Sequence, residues 1–447
     1  MALATQLAEF VYAVNLDRLD PRVPAQARTL IIDAIACTIA GSDTEAARIA
    51  LTTVSHRPGP GATVVRYGLR TGASTAALAN GAMLRALDMT DTYVGRDVCH
   101  PGEIVPAALA CAEAAGASGR ALLEAVIAGL ALHMQLANCI ALHRHGLHHT
   151  GQAAWVVPLV AARLLGHEPA VAAQAVTIGA HGLIVPESFG RGQLTNLKAL
   201  AYPLLARAGV EAVHLAAAGL TGSPRACEDI VSLLTARFGM DIAADELVPK
   251  AAPDHLEAIT LKTYPAQYAL QPLIATAIAA HAADPELARG LERVIVRASR
   301  RTIERTADPA KYAPTGPEAA DHSLPFCVAA ALLDGELEPD ALEHGRWHHA
   351  DVLELMARIG TEPMGEDDGY HIGPQELVLV FRDGTSKTMP CRYPAEGVTW
   401  LAIAERKLRS ASRHGLDPDE IITRVAQIDR EPDVRRLMSA LVPIVAA

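Results

Sequence analysis

Ala76–Pro106, AALANGAMLRALDMTDTYVGRDVCHPGEIVP, sets Asp88, Asp91, Thr92 and His100 in a short space between two alanine-rich segments. Carboxylate, hydroxyl and imidazole groups move protons, and loops held by rigid helices are where such groups usually act. The same residues also read as a capped helix end with an incidental loop histidine. A denser cluster follows at His143-Arg-His145-Gly-Leu-His148-His149-Thr150, at a loop-to-helix junction. Imidazoles suit zinc, nickel or copper. No carboxylate sits beside these, however, and they suit an anion or a solvated polar turn equally. Lys198 stands near the start of an alanine-rich helix, beside the positive end of the helix dipole. Burial there favours a neutral amine, which can serve as a general base. Lys262-Thr-Tyr264-Pro265 lies where a strand reading gives way to a helix.

The elements that must position these groups are mainly helical. Half the residues are hydrophobic but only 4% are aromatic, so Ala, Leu, Val and Ile must fill the core, which favours closely packed helices. Residues 1–55 read as helix, with Thr5 as a cap for the first and Gly41 ending Val23–Gly41. His56–Val65 reads as loop and then a short extended piece. From Ser74 to about Leu234 helix follows helix, broken at Gly or Pro. LEAITLKTY, from Leu256, and LERVIVRAS, from Leu291, read as strands. Asp383-Gly384 between two extended runs in Glu376–Cys391 signals a hairpin. Helices are expected at Gln271–Ala283 and around His322–Leu333, and again in the tail from Thr399. The expected fold class is mainly α: a large all-helical domain from 1–255 and 396–447, with a smaller α+β domain, 256–395, inserted.

A net charge of −11 and a pI near 5.9 argue against a nucleic-acid partner. The scattered cysteines contain no CxxC, which argues against a disulfide framework or zinc knuckle and fits a reducing cytoplasm. The N-terminus lacks the basic and apolar regions of a signal peptide. Leu122–Leu142 carries Glu124, His133 and Asn138, so a buried helix is expected there rather than a membrane span. GxGxxG after a strand, Walker A, HExxH and GxSxG are all missing.

Taken together these segments resemble the MmgE/PrpD family over nearly the whole chain. AALANG at 76–81, LDMTDT at 87–92 (the family's LDFDDT) and His100-Pro101-Gly102 come in family order. Gly146-Leu-His148 is similar to its GFH, and Lys198, Gly209 and Gly219-Leu-Thr-Gly222 to its K…G…GFTG series. Lys262–Pro265 resembles KxYP, and His322-Ser-Leu-Pro-Phe326 resembles HSxxY. The resemblance implies a helical domain plus a smaller α+β domain, usually a homodimer, with the active site between domains. It implies no metal and no organic cofactor, and a pocket lined by Asp88, Thr92, His100, His148, Lys198 and Lys262.

Four departures narrow the implied reaction. Gln271 stands where most relatives have a histidine, Phe326 replaces the tyrosine, Thr90 replaces an aspartate and Arg85 a histidine. Losing the tyrosine and one histidine removes candidate acids for expelling hydroxide, while leaving deprotonation beside a carboxylate undisturbed. Among family activities the pattern is most similar to an iminodisuccinate epimerase. The implied function is therefore cofactor-independent epimerisation of an amino-linked dicarboxylate. The alternative is a hydro-lyase of the 2-methylcitrate dehydratase kind, or a decarboxylase, acting on a tricarboxylate. Epimerisation asks for two acid/base groups on opposite faces of one carbon. Lys198 with His100 or His148 is the expected pair. Asp88 would orient a histidine or Lys262. Lys262 and His149 would neutralise substrate carboxylates, and Thr92 and Gln271 complete the binding set.

Overall fold

Alanine and glycine decide how closely the helices of this protein meet. A computed structural model describes residues 1–190, 192–250, 256–365, 372–393, 397–412 and 415–443. The expected domain boundaries, at 255 and at 395–396, fall outside the described residues, as does the end of the tail. The helix Ala73–Arg85 is buried on almost every side, which its small side chains permit. It packs against the helices Leu197–Ala217, Val105–Ala115 and Arg22–Ala40. A Cβ on Gly81 would lie 3.0 Å from the ring of Pro203, and one on Gly209 would lie 3.1 Å from the ring of Pro158. Both prolines sit inside helices, Pro203 in Leu197–Ala217 and Pro158 in Ala153–Leu164. Proline therefore does not always mark a break here, although each ring removes one backbone hydrogen bond.

The other breaks follow glycine chemistry. Gly116, Gly146 and Gly166 adopt left-handed backbone at helix or turn ends. Gly41 does occupy the C-cap of Arg22–Ala40, but with φ −82°. Its need is space, since a Cβ there would meet the Met83 carbonyl oxygen at 2.1 Å. Thr5 does not cap the first helix, which runs Leu3–Ala13 and places Thr5 inside it. The chain already turns at Ala2, whose carbonyl accepts the Thr5 N–H.

Gly119–Cys139 is long and apolar enough to cross a membrane, yet 89% of that window is buried against the rest of the protein. Its polar residues have specific partners. Glu124 accepts from Arg163 and the Leu16 N–H, His133 meets Tyr202 and Gln152, and Asn138 accepts from the Tyr93 hydroxyl. All seven cysteines are free.

A mixed four-stranded sheet occupies 291–390, in the order Ile359–Pro363, Leu291–Ala298, Glu376–Phe381, Ser386–Pro390. The first pair is parallel and the other two antiparallel. Gly384 turns the hairpin with φ 85°, and Asp383 accepts from Thr385 beside it. The helices Gln271–Ala283 and Leu324–Asp334 pack together on this unit. The expected strand from Leu256 does not form. Leu256–Ala258 is a 3₁₀ turn, and beyond it Thr260 makes a single bridge to Thr92. The helix Trp400–Ala411 lies along Arg22–Ala40. From it the buried Lys407 pairs with Asp33 and donates to the Met89 carbonyl at 2.9 Å, bracing the chain next to Asp88.

Candidate active site

Asp88 is the knot that ties the two parts of the chain. The helix Ala73–Arg85 ends at Ala86, and Asp88 turns the chain with φ 49°, a conformation Asp tolerates better than most residues. Thr92 and Thr260 then exchange backbone hydrogen bonds of 2.7 and 2.8 Å. That register brings Lys262, two residues further on, beneath Asp88. Its ammonium donates to the Asp88 carboxylate at 2.9 Å and to the Asp88 carbonyl at 2.7 Å. Arg85 approaches the other carboxylate oxygen at 3.2 Å, and Lys198 lies 3.7 Å from it. Burial drives the Asp88 carboxyl upward, but Lys198, Lys262 and Arg85 together outweigh it and hold it well below the usual range. Burial depresses Lys262 below the ordinary lysine value, with Asp88 opposing. Asp88 thus orients lysines, and no hydrogen bond links it to a histidine among the described residues.

Lys198, in the first turn of Leu197–Ala217, is buried with Asp321 at 2.6 Å and His322 Nδ1 at 3.3 Å. Asp321 lies 123 residues away in sequence. Its place immediately before the HSxxF segment was the signal for it. Glu103, immediately after His100-Pro-Gly, is a second residue the motifs alone leave out. It is buried 2.8 Å from Arg85 Nε, and burial pushes its carboxyl up to about 8 despite that cation.

A second group of side chains is a set of packed imidazoles. His100 Nδ1 lies 2.6 Å from the Asp91 carbonyl, which can only accept, so Nδ1 carries the proton and Nε2 offers a lone pair. The Thr92 hydroxyl is a longer 3.4 Å from the same nitrogen. His148 has the reverse tautomer, because its Nδ1 accepts the Thr150 N–H at 3.3 Å and leaves the proton on Nε2. His149 packs between them, with ring centroids 4.9 Å from His100 and 4.2 Å from His148. It is 4% exposed, and among the described residues neither of its nitrogens has a hydrogen-bond partner. Burial holds His100, His148 and His149 well below the ordinary histidine value, reinforced by Arg85 and Lys262 at His100 and by neighbouring imidazoles and Arg85 at His148 and His149, so all three are neutral at pH 7. His143 is anchored to Asp97 at 2.6 Å.

Nitrogens of His143, His148 and His149 lie within 4.8 Å of one another, a spacing open to a metal. The His148 tautomer opposes one, since its lone pair is spent on Thr150 and its other nitrogen bears a proton. The cations Arg85, Lys198 and Lys262 nearby also disfavour another cation. The same groups fit an anion. Asp91 caps the turn Pro101–Ile104, accepting the Gly102 N–H with both oxygens at 3.0 Å, and a Cβ on Gly102 would strike it at 2.4 Å. Burial pushes Asp91 up to about 6. Thr90, in place of the family's acid, donates to Asp91 at 2.8 Å where a carboxylate would repel it.

Gln271 behaves differently from the rest of the predicted set. Its amide makes four hydrogen bonds to the backbone of Thr263, Tyr264 and Ala266, so it braces the loop that carries Lys262. A cleft of about 590 Å³ borders Met89, Thr263 and Lys407, just behind the Asp88–Lys262 pair, but none of the predicted residues lines it.

The chain matches the MmgE/PrpD N-terminal domain over residues 5–240 and the MmgE/PrpD C-terminal domain over residues 264–421. The first match contributes Asp88, the histidines and Lys198, and the second contributes Gln271, Asp321 and His322. Lys262 lies just before the second. With both halves of the pattern present in order, the chain belongs to the MmgE/PrpD family, a family of enzymes.

Proposed function

We propose that this enzyme is a cofactor-independent epimerase that removes and returns a proton at the carbon next to a carboxylate of an amino-linked dicarboxylate of the iminodisuccinate type. The observation that supports the reading is the contrast between the hydrogen-bond settings of two groups of the predicted set. His100 offers an unprotonated Nε2, whereas Lys198 is an ammonium held by Asp321 and Asp88. His100 takes the Cα proton as its electrons move onto the carboxylate. Lys198 returns a proton to the other face as they move back. The His148 N–H and the unpartnered His149 bind carboxylate oxygens, and the fixed cations stabilise the enediolate charge. Lys262 contributes field and framework, because two of its three protons are already given to Asp88.

Loss of hydroxide would require an additional acid, and at the family's tyrosine position this chain has a fully buried phenylalanine, Phe326. The reading also takes the protein as a cytoplasmic homodimer. The test is turnover of iminodisuccinate in D₂O. Deuterium must enter Cα as the diastereomers interconvert. Full turnover without exchange defeats the two-base scheme, and a growing ultraviolet band from a conjugated double bond assigns a hydro-lyase instead.

A further inference from the structure

A two-base epimerase ends each turnover in the wrong protonation state. After one forward reaction His100 holds the substrate's proton and Lys198 has given its own away. Both must be reset before the next molecule reacts. Lys198 is buried, so it needs a partner able to reach water.

We propose that His322 is the relay that reloads Lys198 with a proton from solvent. This rests on the reading of Lys198 as the proton donor. Three observations carry it. His322 Nδ1 lies 3.3 Å from Lys198 Nζ, within reach of direct transfer. The same nitrogen is hydrogen-bonded to Asp321 Oδ1, while Asp321 Oδ2 holds Lys198 at 2.6 Å, so one carboxylate spans donor and acceptor. The His322 side chain is 18% exposed, against 7% for Lys198 and 1% for Asp321, which makes it the outward member of the three.

The protons balance. Water delivers one to His322 Nε2, forming an imidazolium whose charge Asp321 offsets. The Nδ1 proton passes to neutral Lys198, the N–H bond of the ring breaking as that of the ammonium forms. His322 is left neutral with its proton on Nε2, and loss of that proton to water with rebinding of one at Nδ1 restores the starting tautomer before the next turnover. The charged groups facing His322 are Lys198, Asp321 and Asp88. With Lys198 charged, burial and that neighbouring cation hold His322 down at about 4, so the relay idles unprotonated. Once Lys198 has lost its proton the opposing charge is gone and the two carboxylates favour the imidazolium. The relay is thus armed by the chemical step itself. Phe326, buried one helical turn on, offers no proton of its own.

The experiment is steady-state epimerisation of iminodisuccinate by wild type, His322→Gln and His322→Asn, at constant ionic strength and rising concentrations of a small imidazole buffer. In dilute buffer both variants are expected to lose kcat by roughly 10²-fold, the scale of one positioned acid/base group. KM should fall in proportion, leaving kcat/KM and the thermal midpoint unchanged, because the reset follows chemistry, and added imidazole should restore kcat. Variants as fast as wild type in dilute buffer, or slow variants that imidazole does not restore, overturn the relay alone. A wild type that neither epimerises nor exchanges Cα deuterium overturns the site reading and the relay with it.

Discussion

The two walls of this site are built on opposite principles. On one, Asp88, Lys262, Lys198, Arg85 and Asp321 form a buried ionic lattice in which every charge has a counter-charge. On the other, His149 is buried with both nitrogens unpartnered, next to His100 and His148 in fixed and opposite tautomers. A satisfied lattice of charges is set during folding and is costly to break from one side. An unsatisfied buried imidazole costs stability until a ligand completes it. The lysine wall therefore belongs to the fold as much as to the chemistry, whereas the histidine wall is reserved for substrate.

That contrast can be broken in four ways, in order of size. Lys198→Ala should lower kcat by about 10²- to 10⁴-fold while circular dichroism shows a retained fold. An unchanged kcat would remove Lys198 from the mechanism. Asp88→Ala strands Lys262 and Arg85 in the interior and should cost about 3–5 kcal/mol in denaturant unfolding. A loss below that of an exposed ion pair would show that the lattice is not structural. His149→Phe should do the reverse. Stability should hold or rise, while KM rises roughly 10- to 100-fold for the loss of a hydrogen bond to a charged group.

The same substitution has a pH signature. Folded His149 resists protonation, whereas the unfolded chain binds a proton below about 6.5. Wild type therefore loses stability relative to His149→Phe as pH falls through that value, and the two should run parallel above it. A constant difference across pH 5–8 would show that His149 is not held neutral. Gln271→Ala, the mildest change, should cost about 1–3 kcal/mol through the freed loop without raising KM. A raised KM with full stability would return Gln271 to the substrate.

The sequence made the periodic elements and the ordered motifs readable. The helix Gln271–Ala283, the strand Leu291–Ala298 and the hairpin at Asp383-Gly384 form where expected, because local pattern and turn chemistry agree. The meeting of Lys198 and Lys262 at Asp88, and of His100 and His148 at His149, was readable only through the family's motif order, since nothing local connects them. What stayed hidden was set by long-range pairing. The segment after Leu256 alternates like a strand, yet it finds one backbone partner in a loop rather than a sheet edge. Asp321 shows its role only in its ion pair with Lys198, 123 residues away. Gln271, at a position where the family resemblance implies a histidine, turns inward because the Lys262 loop presents backbone groups that need partners.

The proline rings set into glycine notches have a consequence for how this enzyme can change over generations. Pro203 presses on Gly81 in the helix that delivers Asp88, and Pro158 presses on Gly209 in the helix that delivers Lys198. A methyl group added at either glycine meets a rigid ring rather than a yielding side chain, so the neighbouring helix must give by a few tenths of an ångström. That strain would fall on the helices that carry Asp88 and Lys198 although neither had been altered. The scaffold confines drift at these silent positions as tightly as chemistry confines it at the lysines, leaving the half-open histidine wall as the surface on which new substrate preferences can be tried.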